Sequence, residues 1–474
     1  MPETNIINVG SGVFLDGLRE TGTPFSHLDW RPPAQGDPEL VEILFRLSVD
    51  YLDGDGVSVI DKANLASLER IRRGNPVLLR VLPAHVCLPG LAKNTLLHAG
   101  PPVAWKDMCG PMRGAVIGAL KYEGLARSEA EAIALMDAGK VEYGPTDPHD
   151  VAAPMSGVVS YSMPLAVVKN ETFGNTAFSP LHEGSGYALR FGSHNPPVIK
   201  HLRWLEAVLS PALDTALQSL GGVNLKNIMG LALSMGDELH QRTFAASLVF
   251  YRQICLELSR AAPNREEELA LVRFLGQTNE QFFLNLAIAA CRALMDPIRN
   301  MRHSSIISCM SRNGSEFAIQ VGGLGDRLFK GPSGRLQAVY LPGYSQEDAN
   351  PDIGDSAIIE CCGLGGFSMG SAPAVTRAMG EGGLGEALRR SQDMAAICVG
   401  RNPDFPIPNL DFAGVPTGID IRKVVATGKL PVINSAVSHR LPGFGEVGAG
   451  YALAPMECMK KALLALHLEM QSGE

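Results

Sequence analysis

Six short segments bring together residue types able to handle a small anion. Glu360-Cys-Cys-Gly-Leu-Gly-Gly-Phe-Ser-Met-Gly-Ser-Ala-Pro373 ends an apolar run in a glycine loop, with a proline where a helix would start. Backbone N–H groups at such a turn can hold an anion, with Gly363, Gly365 and Gly366 letting it approach closely. A tight strand-to-helix turn explains the same glycines as well. It is neither a P-loop nor a dinucleotide fingerprint, because the Lys-Ser/Thr and the spacing are missing. In His182-Glu-Gly-Ser-Gly-Tyr-Ala-Leu-Arg190 a carboxylate and a guanidinium flank a glycine turn. Arg190 can grip a carboxylate or phosphate with two N–H groups, and Glu183 can orient an amide; a structural ion pair is the alternative.

Gly236-Asp-Glu-Leu-His240-Gln-Arg242 places Asp237, His240 and Gln241 on one face if the segment is helical, either as a polar helix start or as a pocket wall. Arg312 stands beside Asn313-Gly314, a hairpin turn signal, and is surplus to it. Glu347–Asp355 carries three aspartates in eight residues, able to hold Mg²⁺ or Ca²⁺ through oxygen, though a solvated acidic loop is the commoner fate of such a run. His439 follows an apolar run and precedes glycine turns, where a strand end in an α/β sheet can present an acid or base; a lone His there is more often structural. No Gly-x-Ser-x-Gly elbow, His-Glu-x-x-His or Cys-x-x-Cys is present, so serine hydrolase, zinc hydrolase and thioredoxin chemistry have no support.

The elements that would carry these segments define an α/β (α+β) chain with mixed sheets. Asn5–Val9, Ser11–Thr21 and Phe25–Trp30 read as strand, helix and strand. Strand patterns recur at Asn75–Leu82, Val158–Val168, Ser305–Met310, Phe317–Val321, Leu336–Leu341 and Ala357–Cys362. Helices are expected at Pro38–Leu47 and Gly114–Leu125. After Pro197 apolar stripes take helical spacing, Ser210-Pro211 looks like a helix start, and Asn264 with Glu267 forms a capping box. Leu284–Ala293 reads as a buried helix, too short to span a membrane. We therefore expect four segments: an N-terminal α/β unit (1–74), an α/β domain (75–196), an inserted all-helical domain (197–300) and a C-terminal α/β domain (301–474).

Composition narrows the function classes. Apolar residues make up 46% and charged residues 19% of the 474, which is globular rather than disordered. A net charge of −8 without basic runs argues against nucleic acid. The opening MPETNIINVG lacks the basic-then-apolar pattern of a signal peptide, and the nine scattered cysteines suit a reducing cytoplasm.

Ten stretches, spread over most of the chain, resemble one family. They include HLDWRPPAQGD (27–37), AGPPVAWKDMCGPMRGA (99–115), HEGSGYALRFG (182–192), GDELHQR (236–242), MSRNGSEFAIQVGGLGD (310–326), DANPDIGDSAIIECCGLGG (348–366) and SHRLPGFGEVGAGYALAP (438–455). The family, formerly a domain of unknown function, includes a subunit of oxamate carbamoyltransferase of the allantoin pathway. The resemblance implies a cytoplasmic, oligomeric protein working with partner subunits that resemble succinyl-CoA ligase. Its implied ligands are oxalurate, oxamate, phosphate and carbamoyl phosphate, with no certain cofactor beyond Mg²⁺ as a candidate. On that reading Arg190, Arg312 and Asn313 bind carboxylate or phosphate, Glu183 orients the amide, His240 lines the pocket, His439 donates a proton and the loop Gly363–Gly366 supplies N–H groups. The Ser-x-Arg-Thr-Arg phosphate motif of ordinary carbamoyltransferases is missing, so other residues or a partner would hold carbamoyl phosphate. A non-catalytic scaffold subunit and an amide or ureide hydrolase are the competing readings.

Overall fold

A computed structural model describes residues 6–28, 30–181 and 188–472. The chain is mixed α/β, and its sheets are small and mostly antiparallel. One sheet orders Thr176–Pro180, Pro164–Asn170, Pro76–Pro83 and Val223–Asn224, all antiparallel. A second joins Phe329–Pro332, Glu316–Val321, Ile307–Asn313 and Ile353–Gly354. A third pairs Gln337–Tyr340 and Val432–Ser438 on either side of Glu446–Leu453. Parallel pairing occurs between Thr95–His98 and Glu142–Pro145, and between Ile6–Val9 and Phe25–Leu28.

Six helices occupy the stretch from Pro196 to Met295, and the one strand there among the described residues is the two-residue Val223–Asn224. That strand stitches the helical layer to the sheet through Pro76–Pro83. Every residue of the helix Phe283–Met295 is buried, the polar Asn285 and Arg292 among them. It lies on the strands Pro164–Asn170 and Thr176–Pro180. One apolar cluster takes in residues from Ala34 to Met470.

Local sequence chemistry explains most elements. Asn264 Oδ1 accepts from Glu267 N at 2.9 Å and opens the helix Arg265–Arg273. Gly314, at φ +85°, turns the hairpin between Ile307–Asn313 and Glu316–Val321. The Gly-rich helix Gly110–Tyr122 allows a close approach: a Cβ on Gly114 would stand 2.2 Å from the Gly192 carbonyl oxygen. That contact seats the turn carrying Arg190.

Four expectations change. Ala357–Cys362 is not a strand, because Ile358–Cys361 forms a helical turn. Val158–Val168 splits into Val158–Val159 and Pro164–Asn170 around a turn. Ser210 and Pro211 open the helix Ser210–Leu220, but Ser210 is αR rather than an extended N-cap, and the chain runs into it through a π-helical turn at Leu205–Leu209. Residues 237–243 are an irregular turn between the helices Leu225–Ser234 and Phe244–Ala261, so Asp237, His240 and Gln241 do not share a helix face. No helix among the described residues is long and apolar enough to cross a membrane.

Candidate functional site

The turn 237–243 is the core of the site. Leu239 sits at φ +74°, a left-handed conformation that is strained for a branched apolar residue. The Glu238 carboxylate holds the turn shut. It accepts from the backbone N–H groups of His240 (3.1 Å), Arg242 (2.7 Å) and Gln241. Burial pushes Glu238 up to about 7, even though those N–H groups and His240 favour its charged form. Asp237 Oδ2 accepts from Ala246 N at 2.9 Å at the start of the next helix, and burial raises it to about 6.

This strained turn presents His240. Its Nδ1 lies 2.7 Å from Glu360 Oε1, so the ring gives Nδ1–H to a carboxylate and keeps Nε2 for a ligand. Glu360 is fully buried, and the same Oε1 also accepts from Gly366 N (3.2 Å) and Asn434 N (3.1 Å). Gly365 has to be glycine here. It sits at φ +58°, and a Cβ would stand 2.1 Å from Glu360 Oε1.

His240 lines a cavity of about 190 Å³ with Arg190, Gln281, Ser356, Ser435 and Glu446. Arg190 comes from the short 3₁₀ turn Leu189–Phe191, with its guanidinium carbon 4.9 Å from the Phe191 ring centre. Thr278 and Asn279 reach the same cavity from the π-helical turn Phe274–Thr278, an irregularity common at functional sites. Gln281 ties the roof to the strained turn, donating Nε2 to the Gln241 carbonyl at 2.7 Å and accepting from Thr243 Oγ1 at 2.8 Å. The result is one guanidinium, one oriented imidazole, the carboxylates of Glu280 and Glu446, and several hydroxyls and amides around a space sized for a small metabolite.

Of the residues singled out by sequence, Arg190 and His240 meet at this cavity. Glu183 lies outside the described residues. Arg312 is not among the lining residues: it is fully buried, with Nε 2.8 Å and Nη2 3.0 Å from the Asp352 carboxylate and Nη1 on the Gly354 carbonyl. Asn313 donates to the Pro101 carbonyl and caps its own hairpin through Ser315 N and Glu316 N. The N–H groups of Gly363, Gly365 and Gly366 are engaged by the Glu360 carbonyl, the Glu238 carbonyl and the Glu360 carboxylate. The loop therefore cradles an internal carboxylate rather than a free anion. His439 stacks on Phe444 at 4.2 Å and takes the Leu441 N–H on Nδ1, again off this cavity.

The three aspartates of the acidic loop diverge. Asp348 accepts from Ser345, Asp352 holds Arg312, and Asp355 takes Gly100 N, Ala153 N and Thr146 Oγ1. Among the described residues no three metal-ligating side chains converge. Glu360 and Glu238 were missed by sequence reasoning. The signal for Glu360 was present: one carboxylate inside the apolar run Ile358-Ile359-Glu360-Cys361-Cys362 must find buried partners.

Fold and site together define a mixed α/β protein that presents an arginine and a carboxylate-held histidine to a small polar cavity beneath a helical layer. The chain belongs to the oxamate carbamoyltransferase subunit AllG family. The family model of that description matches residues 141–356. "Oxamate carbamoyltransferase subunit AllG" of Escherichia coli (strain K12) is 43% identical over 416 residues, covering 87% of this chain and 99% of the relative. "Uncharacterized protein YahG" of the same organism is 38% identical over 97% of this chain and 96% of its own length. The crystal structure of a conserved protein of unknown function from Enterococcus faecalis V583 superposes with a TM-score of 0.84 at 40% identity, over 86% of this chain and 98% of the other.

Proposed function

We propose that this chain is a subunit of a carbamoyltransferase, and that its 190 Å³ cavity holds the ureide of the reaction oxalurate plus phosphate to oxamate plus carbamoyl phosphate. The observation that carries the reading is the near-complete-length relationship to a protein named as a subunit of that enzyme. The cavity supplies fitting chemistry. Arg190 grips the planar carboxylate with two N–H groups. Attack by a phosphate oxygen on the terminal carbamoyl carbon forms the new C–O bond and breaks the C–N bond to the oxamate nitrogen. That nitrogen takes the Nε2 proton of a His240 imidazolium, leaving the imidazole, and the proton lost by hydrogen phosphate restores the imidazolium. Glu360 fixes the orientation of the ring. Glu183 remains a candidate for orienting the amide.

Phosphate is assigned to a partner subunit, since the glycine-loop N–H groups are already engaged. A subunit role also suits the N-terminal unit, where Ile7, Val9, Val13, Phe14, Leu28 and Trp30 are all exposed. We place the assembly in the cytoplasm, with succinyl-CoA ligase-like partners and more than one copy of this chain.

The test is reconstitution with those partners and measurement of carbamoyl phosphate formed from oxalurate and phosphate. His240→Gln should lower kcat by about 10²–10⁴, and Arg190→Ala should raise KM for oxalurate. Full turnover by the partners without this chain would overturn the proposal. Phosphate-independent release of oxamate would instead make it a ureide hydrolase.

A further inference from the structure

A second, larger cavity of about 600 Å³ has the opposite electrostatic character. Its charged lining residues are Asp147, Asp150, Asp296, Asp326 and Arg299. Arg292, fully buried behind the wall, contacts Asp147, Asp150 and Asp296. Arg299 bridges Asp147 (3.1 Å) and Asp326 (2.8 Å). Four carboxylates against two guanidinium groups leave two negative charges at this cavity. Both cations are already engaged with carboxylates.

Two amides sharpen the picture. Gln320 is 2% exposed and donates Nε2 to Asp147 Oδ2 at 3.1 Å. Asn175 donates Nδ2 to the Ala293 carbonyl at 3.0 Å. These bonds fix which way each amide faces, leaving a carbonyl oxygen in each case. Gln320 Oε1 and Asn175 Oδ1 are buried without a hydrogen-bond partner among the described residues, and both residues line this cavity. Buried acceptors are rarely left unmatched, and what satisfies a carbonyl oxygen is an N–H donor or a cation. A metal ion is the poorer match, because no three metal-ligating side chains converge among the described residues.

We propose that this cavity binds a small organic cation bearing N–H donors, an ammonium or guanidinium group, with Gln320 and Asn175 as acceptors and Asp150 and Asp326 as counter-charges. Pro101, Pro102, Pro145 and Pro148 surround it with rigid apolar surface for the attached carbon. The site is separate from the Arg190–His240 cavity, and its existence does not depend on the carbamoyl reading.

The experiment is calorimetric titration of the full-length chain at constant ionic strength with methylguanidinium and ethylammonium chlorides. Tetramethylammonium chloride (charge, no N–H), acetamide (N–H, no charge) and magnesium chloride are the comparisons. Saturable binding is expected for at least one of the first two and for none of the comparisons. Asn175→Leu should weaken it about tenfold through one lost charge-assisted bond. Asp326→Asn, at a side chain 74% exposed, should leave the fold intact and weaken it about threefold. No saturable binding of either N–H cation, equal binding of tetramethylammonium or acetamide, binding of magnesium alone, or unchanged affinity in Asp326→Asn would each overturn the assignment.

Discussion

Removing either member of the Arg312–Asp352 pair should cripple folding, whereas removing both should not. The two side chains are 0% and 1% exposed and meet through two parallel bonds of 2.8 and 3.0 Å, with Gly354 O taking a third guanidinium N–H at 2.9 Å. Taking away one partner leaves a buried charge with little to answer it, at a cost of about 3–5 kcal/mol. That is a large part of the margin by which most proteins stay folded, about 5–15 kcal/mol. Replacing both ions by apolar side chains, Arg312→Met with Asp352→Leu, removes the desolvation penalty along with the attraction and should recover most of the loss. The assay is urea unfolding followed by circular dichroism, comparing midpoints of the two single variants and the double variant. The double variant should also keep any thermal shift produced by oxamate, because Arg312 does not line the ligand cavity. A wild-type midpoint in Arg312→Ala, or loss of the oxamate shift in a well-folded double variant, would refute the structural assignment of this arginine.

Three further outcomes follow from the site. Gly365→Ala should lower the melting temperature and abolish carbamoyl transfer together, since its Cβ would displace Glu360 from His240, as thermal melts and turnover by the reconstituted assembly would show. Glu238 carries a folded-state value of about 7 against an ordinary 4.5, so the folded chain holds an extra proton between them. Its contribution is present below pH 4.5 and lost as pH rises through 7, on the order of 3 kcal/mol; Glu238→Gln should flatten that part of the stability–pH curve in unfolding measurements. Glu360→Gln retains an acceptor for Gly366 N and Asn434 N but removes the charge facing His240; turnover should fall at least tenfold while the protein remains folded by circular dichroism.

Local signals carried the sequence reading where they acted within a few residues. The Asn264 cap, the Asn313-Gly314 turn and the buried helix around Leu284–Ala293 are all set by near neighbours, and all three stand in the structure. Reading failed where tertiary contacts overrode pattern. Ile358-Ile359-Glu360-Cys361-Cys362 has the composition of a strand, yet it is helical so that Glu360 can reach Asn434 and His240, residues distant in sequence. Residues 237–243 read as a polar helix start, but the Glu238 carboxylate captures three successive backbone N–H groups and makes a turn. Arg190 and Arg312 looked equivalent beside glycine turns. Only the positions of Asp352 and Gly354 separate an arginine locked in the interior from one that borders a cavity. The glycine loop reads equally as a tight turn or an anion cradle, and what it cradles is the protein's own Glu360.

A small ureide or oxamate anion seated between Arg190 and His240 should be visible by diffraction from crystals soaked in oxamate. The expected density places the carboxylate within about 3 Å of the Arg190 guanidinium and the amide nitrogen within hydrogen-bond reach of His240 Nε2. Oxamate bound instead beside His439, or in the acidic cavity around Asp147, with the Arg190–His240 cavity free of it at saturating concentration, would contradict the account.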